Sequence, residues 1–335
     1  MRGRDLLILV PVILIAGIAV ADALRGGGSS TALTTESERT TTRSVVTQSE
    51  LPDDLGRGSF EPVVGGGGSV VFTQPGQCPV REVDLGTGIE APNLVARSSC
   101  DLWAAPVTYK VAVGLRAARN DSVPFLFRDL ARGGRNLGSS EAYLGFLIWS
   151  EDGQRAAWCN SRRVGIDYEV GTSRRSLPGC PAAFTPDARV ALAEGSRLVV
   201  EGQTELEVSG TITFVHYGND GSVAVLVDGE RLERYQGGRR RQNLRLPAGL
   251  VGRTPILSPD NCSALFRRPQ SMRLVDVGCS PYRPGSFPGT TASWSPNGNW
   301  IVVGGPNEIS FHDLADGGEP VTWPLGAAQI VWRRS

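Results

Sequence analysis

Residues 292–314 read ASWSPNGNWIVVGGPNEISFHDL. A short apolar strand ends on Trp294, the turn Ser295-Pro296-Asn297-Gly298 follows, a second strand runs from Trp300 to Val303, and a third from Glu308 to Leu314. Four further stretches align to this unit: LIWSEDGQRAAWCNSRRVGIDYEV from Leu147, AAFTPDARVALAEGSRLVVEG from Ala182, ITFVHYGNDGSVAVLVDGERLERY from Ile212 and PILSPDNCSALFRRPQSMRLVDVG from Pro255. Each first turn carries Pro-Asp, Pro-Asn or Asp-Gly, residues that pre-set or tolerate the dihedrals of a tight turn between antiparallel strands.

One unit of three or four strands cannot cover both faces of its own sheet. Repeats of this length solve the problem by stacking radially around an axis, so the expected fold is all-β, a β-propeller. A parallel β-helix would use shorter coils in place of these hairpins. Two weaker copies lie upstream: SCDLWAAPVTYKVAVGLRAARNDSVPFLFRDL from Ser99, and SVVFTQPGQCPVREVDLGTG from Ser69, which lacks its first strand. The chain ends in AAQIVWRRS, a first strand with nothing after it. If residues 328–332 supply the strand missing at Ser69, strands from both ends close the ring. First strands near Cys100, Phe146, Ala182, Ile212, Pro255, Ala292 and Ala328 then give seven blades, with six as the alternative if one weak copy is a decoration.

This geometry also selects among the cysteine pairings. The end of a second strand, the start of a third and the start of the next blade emerge on one face. Cys159 therefore pairs with Cys180, and Cys78 with Cys100. Cys262 pairs with Cys279 at the opposite face of one blade. Each bridge closes a loop of about 20 residues and stabilises by roughly 3 kcal/mol in the chain-entropy model. Without Cys-x-x-Cys, and with His216 and His312 as the two imidazoles, no metal site is expected. No cofactor is expected either: GGGGS at Gly65 precedes a strand and not a helix, the wrong context for a phosphate loop.

The N-terminal part has another character. Arg2 and Arg4 precede an apolar run from Leu6 to Ala21, which reads as a membrane-targeting segment over 6–24 with a cytoplasmic stub at 1–5. An uncleaved anchor is the favoured reading, and Ala21-Asp22-Ala23 is a candidate cleavage site that would release the chain as a secreted protein. Either outcome places the remainder outside the cytoplasm. Residues 25–68 are rich in Gly, Ser, Thr and charge and read as a flexible tether. A coil of about 40 residues spans roughly 35 Å. The propeller is assigned to 69–335.

Arg and Lys total 34 against 34 Asp and Glu, so no global field attracts nucleic acid, and an exported location disfavours it further. The first-turn motifs, WSPNG at Trp294, WSEDG at Trp149, FTPD at Phe184 and LSPD at Leu257, resemble the WD-like repeats of the TolB family and of many exported actinobacterial propellers. That resemblance implies a binding or scaffolding role in the cell envelope and transfers no binding residue. The chain departs from TolB in having no recognisable α/β domain before the propeller and in carrying a tether and bridges.

Few residues suggest chemistry. His312, in SFHDL, reads as an imidazole packed between blades, and His216, in FVHYGNDG, falls at the end of a first strand near the central channel. Arg239-Arg240-Arg241 is a local basic cluster, expected in an exposed loop that could meet an acidic polymer or lipid headgroups. Asp152, Asp187 and Asp260 lie in first turns, where turn chemistry already explains an acid. The expected function is an extracytoplasmic, membrane-tethered binding or scaffolding module for protein or cell-envelope polymer, acting as a monomer and not as an enzyme. His216 and Arg239 to Arg241 are its candidate binding residues. A propeller-type envelope hydrolase acting on glycan or peptide is the alternative.

Overall fold

In the computed structural model the described residues are 60–76, 79–91, 101–114, 122–132, 135–143, 146–160 and 162–334. The expected stub, membrane segment, most of the tether and the pair Cys78 and Cys100 lie outside them. Among the described residues no helix is long and apolar enough to cross a membrane.

Strands β1 (Ser69–Thr73) and β2 (Val80–Asp84) come first. Six four-stranded antiparallel sheets follow. Blade 1 is β3 (Leu102–Ala104), β4 (Lys110–Gly114), β5 (Ser122–Asp129) and β6 (Arg135–Tyr143). Blade 2 is β7 (Leu147–Trp149), β8 (Arg155–Cys159), β9 (Gly165–Glu169) and β10 (Ser173–Leu177). Blade 3 is β11 (Pro181–Phe184), β12 (Val190–Glu194), β13 (Arg197–Val200) and β14 (Gln203–Glu207). Blade 4 is β15 (Ile212–Tyr217), β16 (Ser222–Val227), β17 (Arg231–Gln236) and β18 (Arg239–Arg245). Blade 5 is β19 (Pro255–Leu257), β20 (Ser263–Arg267), β21 (Ser271–Asp276) and β22 (Gly285–Pro288). Blade 6 is β23 (Thr291–Trp294), β24 (Trp300–Gly304), β25 (Ile309–Asp313) and β26 (Val321–Trp323).

The last strand, β27 (Gln329–Arg333), pairs antiparallel with β1, Val71 opposite Val331, and completes blade 7 in the order β2-β1-β27. A bridge between Val83 and Glu90 adds a rudimentary fourth strand to its outer edge. The architecture is thus a seven-bladed, all-β propeller closed by strands from both parts of the chain. Buried residues show that the ring is continuous. Seven apolar clusters each join two consecutive blades, and one of them packs Val71 and Val80 of blade 7 against Leu102, Val111 and Val113 of blade 1.

Position in the blade explains the sequence of each strand. Second strands are covered on both faces by neighbouring blades and read as nearly unbroken apolar runs: VAV in β4, VAVLV in β16, IVV in β24. Fourth strands face solvent and are polar, as in SRRSL of β10 and QTELE of β14. That polarity hides them from a search for apolar alternation, so the sequence repeat shows three strands where the blade has four.

Two expectations are corrected. Arg239, Arg240 and Arg241 lie in strand β18 and not in a loop, because Gly237 and Gly238, at φ 58° and 72°, form the two-residue turn of a β17–β18 hairpin. The packed chain also begins before Ser69. Val63 is buried in the blade 6–7 cluster, and Phe60 stacks on Trp323 with ring centroids 4.7 Å apart. Isolated apolar residues amid glycine give no periodic signal. Two of the three expected bridges fall within the described residues, and both pair as expected: Cys159 with Cys180, Cα atoms 5.3 Å apart, and Cys262 with Cys279, 4.9 Å apart.

Candidate functional site

Turns between first and second strands emerge together on one face of the ring, which frames the mouth of its axial channel. In four blades a buried hydroxyl fixes the turn. Ser150, Thr185, Ser258 and Ser295 donate to the side-chain oxygens of Asp152, Asp187, Asp260 and Asn297 at 2.5, 2.5, 2.6 and 2.7 Å. Each also accepts the backbone N–H of Arg155, Arg189, Ser263 or Trp300 at 2.9 to 3.0 Å. The acids of the first turns are therefore consumed in shaping the backbone. Hydrogen bonds from Thr185 and Arg189 hold the Asp187 carboxyl below its ordinary range, the reverse of what a general acid needs.

Blade 4 solves the same turn differently. Gly218 stands where the hydroxyl residue would be, and a Cβ there would lie 2.7 Å from both Asn261 Nδ2 and Ser222 Oγ. Asn261, reaching in from blade 5 with a φ of 58°, donates to Ser222 Oγ at 2.9 Å. This turns its Oδ1 toward His216 Nδ1, 2.6 Å away. The imidazole then carries its hydrogen on Nδ1 and leaves Nε2 as an acceptor, with no partner among the described residues. Burial lowers the His216 pKa against the raising effect of the Asn261 bond, which keeps the ring neutral. Beside it Tyr217 donates to Glu205 at 2.7 Å, and burial with that carboxylate raises the phenol.

The channel has a volume of about 350 Å³ and takes lining from every blade, including Pro106, Trp149, Phe184, His216, Pro259, Trp294 and Trp332. Indoles tie adjacent inner strands of its wall together. Trp149 Nε1 donates to Trp103 O and Trp294 Nε1 to Ile256 O, both at 3.0 Å. Arg334 brings a cation to the mouth, held by Glu151 at 3.0 Å. The result is a largely apolar, aromatic concavity with one imidazole acceptor and one guanidinium–carboxylate pair.

The structure places the candidate binding residues on one blade but does not bring them together. His216 sits on the innermost strand and Arg239 to Arg241 on the outermost, three strand spacings or about 14 Å apart. Both lie toward the first-turn face. Arg240 is engaged by Glu233 at 3.1 Å, whereas Arg239 and Arg241 have no ion pair among the described residues. His312 packs between blades 5 and 6 against Phe287, with Nε2 2.9 Å from Ser310 Oγ. Asn261, Tyr217 and Arg334 carried no sequence signal, since their roles depend on residues brought in from other blades. Among the described residues no cluster of His, Cys, Asp or Glu could hold a metal ion.

No protein-family model matches the chain, and no curated protein matches it. Among solved structures, the Myceliophteria thermophila Cps50 (Swd1) β-propeller domain is 14% identical over 70% of this chain and 89% of that one, with a TM-score of 0.49. The C-terminal WD40 domain of Sif2 is 12% identical over 79% and 82% respectively, also with a TM-score of 0.49. The count of seven blades comes from the strand pairing.

Proposed function

We propose that the chain is an extracytoplasmic, membrane-tethered binding or scaffolding module that engages protein or cell-envelope material at its first-turn face. The observation that carries this reading is the channel mouth, a preformed aromatic concavity walled by all seven blades. Such a surface offers apolar contact at low cost in conformational entropy, with a few fixed polar groups to orient a partner. The exposed Arg239 and Arg241 extend the same face with positive charge suited to an acidic partner. The apolar run from Leu6 to Ala21, within the segment assigned to 6–24, supports the tether.

A hydrolase of glycan or peptide is less well supported, because such chemistry wants a carboxyl raised toward neutrality beside an ionised one. In the first turns Asp187 and Asp220 are instead lowered. For Asp220, hydrogen bonds from Ser222 and the Arg234 guanidinium outweigh the opposing effect of burial. The test is affinity capture by the full-length protein from extracts of its own envelope, in parallel with Phe146→Asp, which places a charge on an exposed channel residue. A partner retained by the parent and lost by the variant is expected. Recovery of no partner together with turnover of a glycan or peptide would overturn the reading.

A further inference from the structure

The channel holds one polar side chain whose direction is fixed before anything binds. Asn261, fully buried, donates from Nδ2 to Ser222 Oγ at 2.9 Å and to Ser222 O at 3.3 Å. A flipped amide would set its oxygen against that carbonyl, so Oδ1 stays on His216 Nδ1 at 2.6 Å. The hydrogen of the neutral imidazole is therefore held on Nδ1, and Nε2 keeps a lone pair. That nitrogen has no partner among the described residues and, unlike the sealed atoms of Arg333, is not cut off from solvent. The half-buried ring belongs to the channel lining.

The rest of the lining decides what can use that lone pair. Its charged side chains, Glu151 and Arg334, are paired with each other. A charged ligand would give up hydration there without meeting an unpaired counter-charge. The hydroxyls of Thr185 and Ser295 are spent on their own turns and that of Tyr217 on Glu205, so a polyhydroxylated molecule would leave most of its donors without a side-chain acceptor. Asn219, whose amide is uncommitted among the described residues, is exposed at the mouth. What the lining offers in quantity is aromatic surface: Trp149, Phe214 and Tyr217 are half-buried in it, and Phe146 is 41% exposed. Rings gain from offset-stacked or edge-to-face contact beyond the area they bury. The volume of about 350 Å³ falls in the range of small-molecule sites. We infer that the channel binds a small neutral aromatic molecule carrying one N–H or O–H donor, of the indole or phenol kind, with His216 Nε2 accepting that hydrogen. The inference rests on the reading of the channel as a binding surface and gives that surface a ligand class.

The test is ligand-observed NMR titration of the full-length protein in zwitterionic detergent, with protein-free micelles as the blank. The probes are 3-methylindole, its isomer 1-methylindole, and benzoate as a charged aromatic. The two isomers share one formula, but 1-methylindole has lost the N–H and is the more apolar, so burial in the channel or in a micelle favours it and only the hydrogen bond favours 3-methylindole. The parent is expected to bind 3-methylindole with a Kd of about 1 mM or tighter, about tenfold more tightly than 1-methylindole, and benzoate more weakly still. His216→Phe keeps a ring and removes the acceptor, so it should erase or reverse the preference between the isomers. Should that variant fail to fold, the order of the three probes on the parent carries the test alone. No binding of 3-methylindole at about 10 mM, equal or tighter binding of 1-methylindole, tightest binding of benzoate, or a preference for 3-methylindole that survives in folded His216→Phe would each overturn the inference. A parent that binds no aromatic probe yet still captures an envelope partner lost in Phe146→Asp would overturn it while leaving the proposed binding role intact.

Discussion

Ser295 shows how much of this fold rests on single hydroxyls. Its Oγ donates to Asn297 and accepts the Trp300 N–H, while the residue itself is fully buried. Ser295→Ala leaves the Trp300 N–H without its acceptor, while Asn297 Oδ1 keeps the Asn299 N–H at 3.1 Å, and a destabilisation of about 1–3 kcal/mol is expected from urea unfolding. Ser295→Thr keeps the hydroxyl, as Thr185 does in blade 3, and should recover most of it. The imidazoles give a second prediction. Burial depresses the pKa of both His216 and His312, with the Asn261 bond opposing it at His216. The unfolded chain therefore binds these protons first. Stability is intact above the unfolded value of about 6.5 and falls as pH drops through 6.5 toward the folded values, by at most about 1.4 kcal/mol per pH unit for each ring. Urea midpoints should decline between pH 7 and pH 5, and the decline should shrink in His216→Gln; an equal decline in the variant would contradict it. The lowered Asp187 and Asp220 act in a separate window, since what they contribute is lost only below about pH 4. The Ser-Pro-Asp turns could be read from sequence because turn chemistry is local. The His216–Asn261 bond could not, as it joins residues 45 apart on two blades.

At the scale of elements, the seven interfaces are unequal. Among the described residues blades 2 and 3 share the smallest apolar cluster, with Ala157, Phe184, Val190 and Leu192 as its buried members. The same seam holds the Cys159–Cys180 bridge, which ties the end of β8 to the start of β11. It also holds Arg155, which pairs with Asp167 in its own blade, donates to Ala188 O across the seam and lies 5.5 Å from the Phe184 ring centroid. Covalent and polar ties thus stand in for apolar area at the thinnest joint. Cys159→Ser with Cys180→Ser should cost about 3 kcal/mol, a fall of roughly 5–10 °C in Tm. Hydrogen exchange should rise first in blades 2 and 3. Loss of Cys262–Cys279, which lies within blade 5, should cost a similar amount without opening a seam, so exchange that rises equally at every interface would contradict this assignment. First and second strands were legible because both of their faces are covered and their composition is correspondingly apolar. The fourth strands were not, since an outermost strand has to satisfy only its ladder and water. Arg239 to Arg241 thus reads as loop in isolation and is strand in context.

The whole molecule depends on how the ring closes, a feature that sequence makes visible because AAQIVWRRS reads as a first strand like those that open the other blades, and it pairs with β1. The channel it encloses is a different matter. Its wall is assembled from residues spread from Pro106 to Arg334, and no local pattern predicts which side chains meet there. Closure carries the last prediction. Ile330 and Trp332 fill the blade 6–7 cluster and Val331 packs on the blade 7–1 cluster, so β27 supports two interfaces at once. Polar contacts fix its position: Trp332 Nε1 donates to Gly67 O at 2.9 Å, Gln329 Oε1 accepts the Leu102 N–H at 2.6 Å, and the Arg334 N–H donates to Pro106 O at 3.0 Å. Trp332→Ala alone should cost about 3–5 kcal/mol, as for other buried aromatics. Ending the chain at Ala327 removes both interfaces and exposes the edge of β1, so the remaining six blades lose the constraint that holds each against the next. The truncated protein should show a broad, weakly cooperative melt in place of one sharp transition, with every blade gaining hydrogen exchange. If only blades 6, 7 and 1 gained exchange while the others kept their protection, the ring would behave as a series of nearest-neighbour joints, and closure would be a local contact and not the condition of the fold.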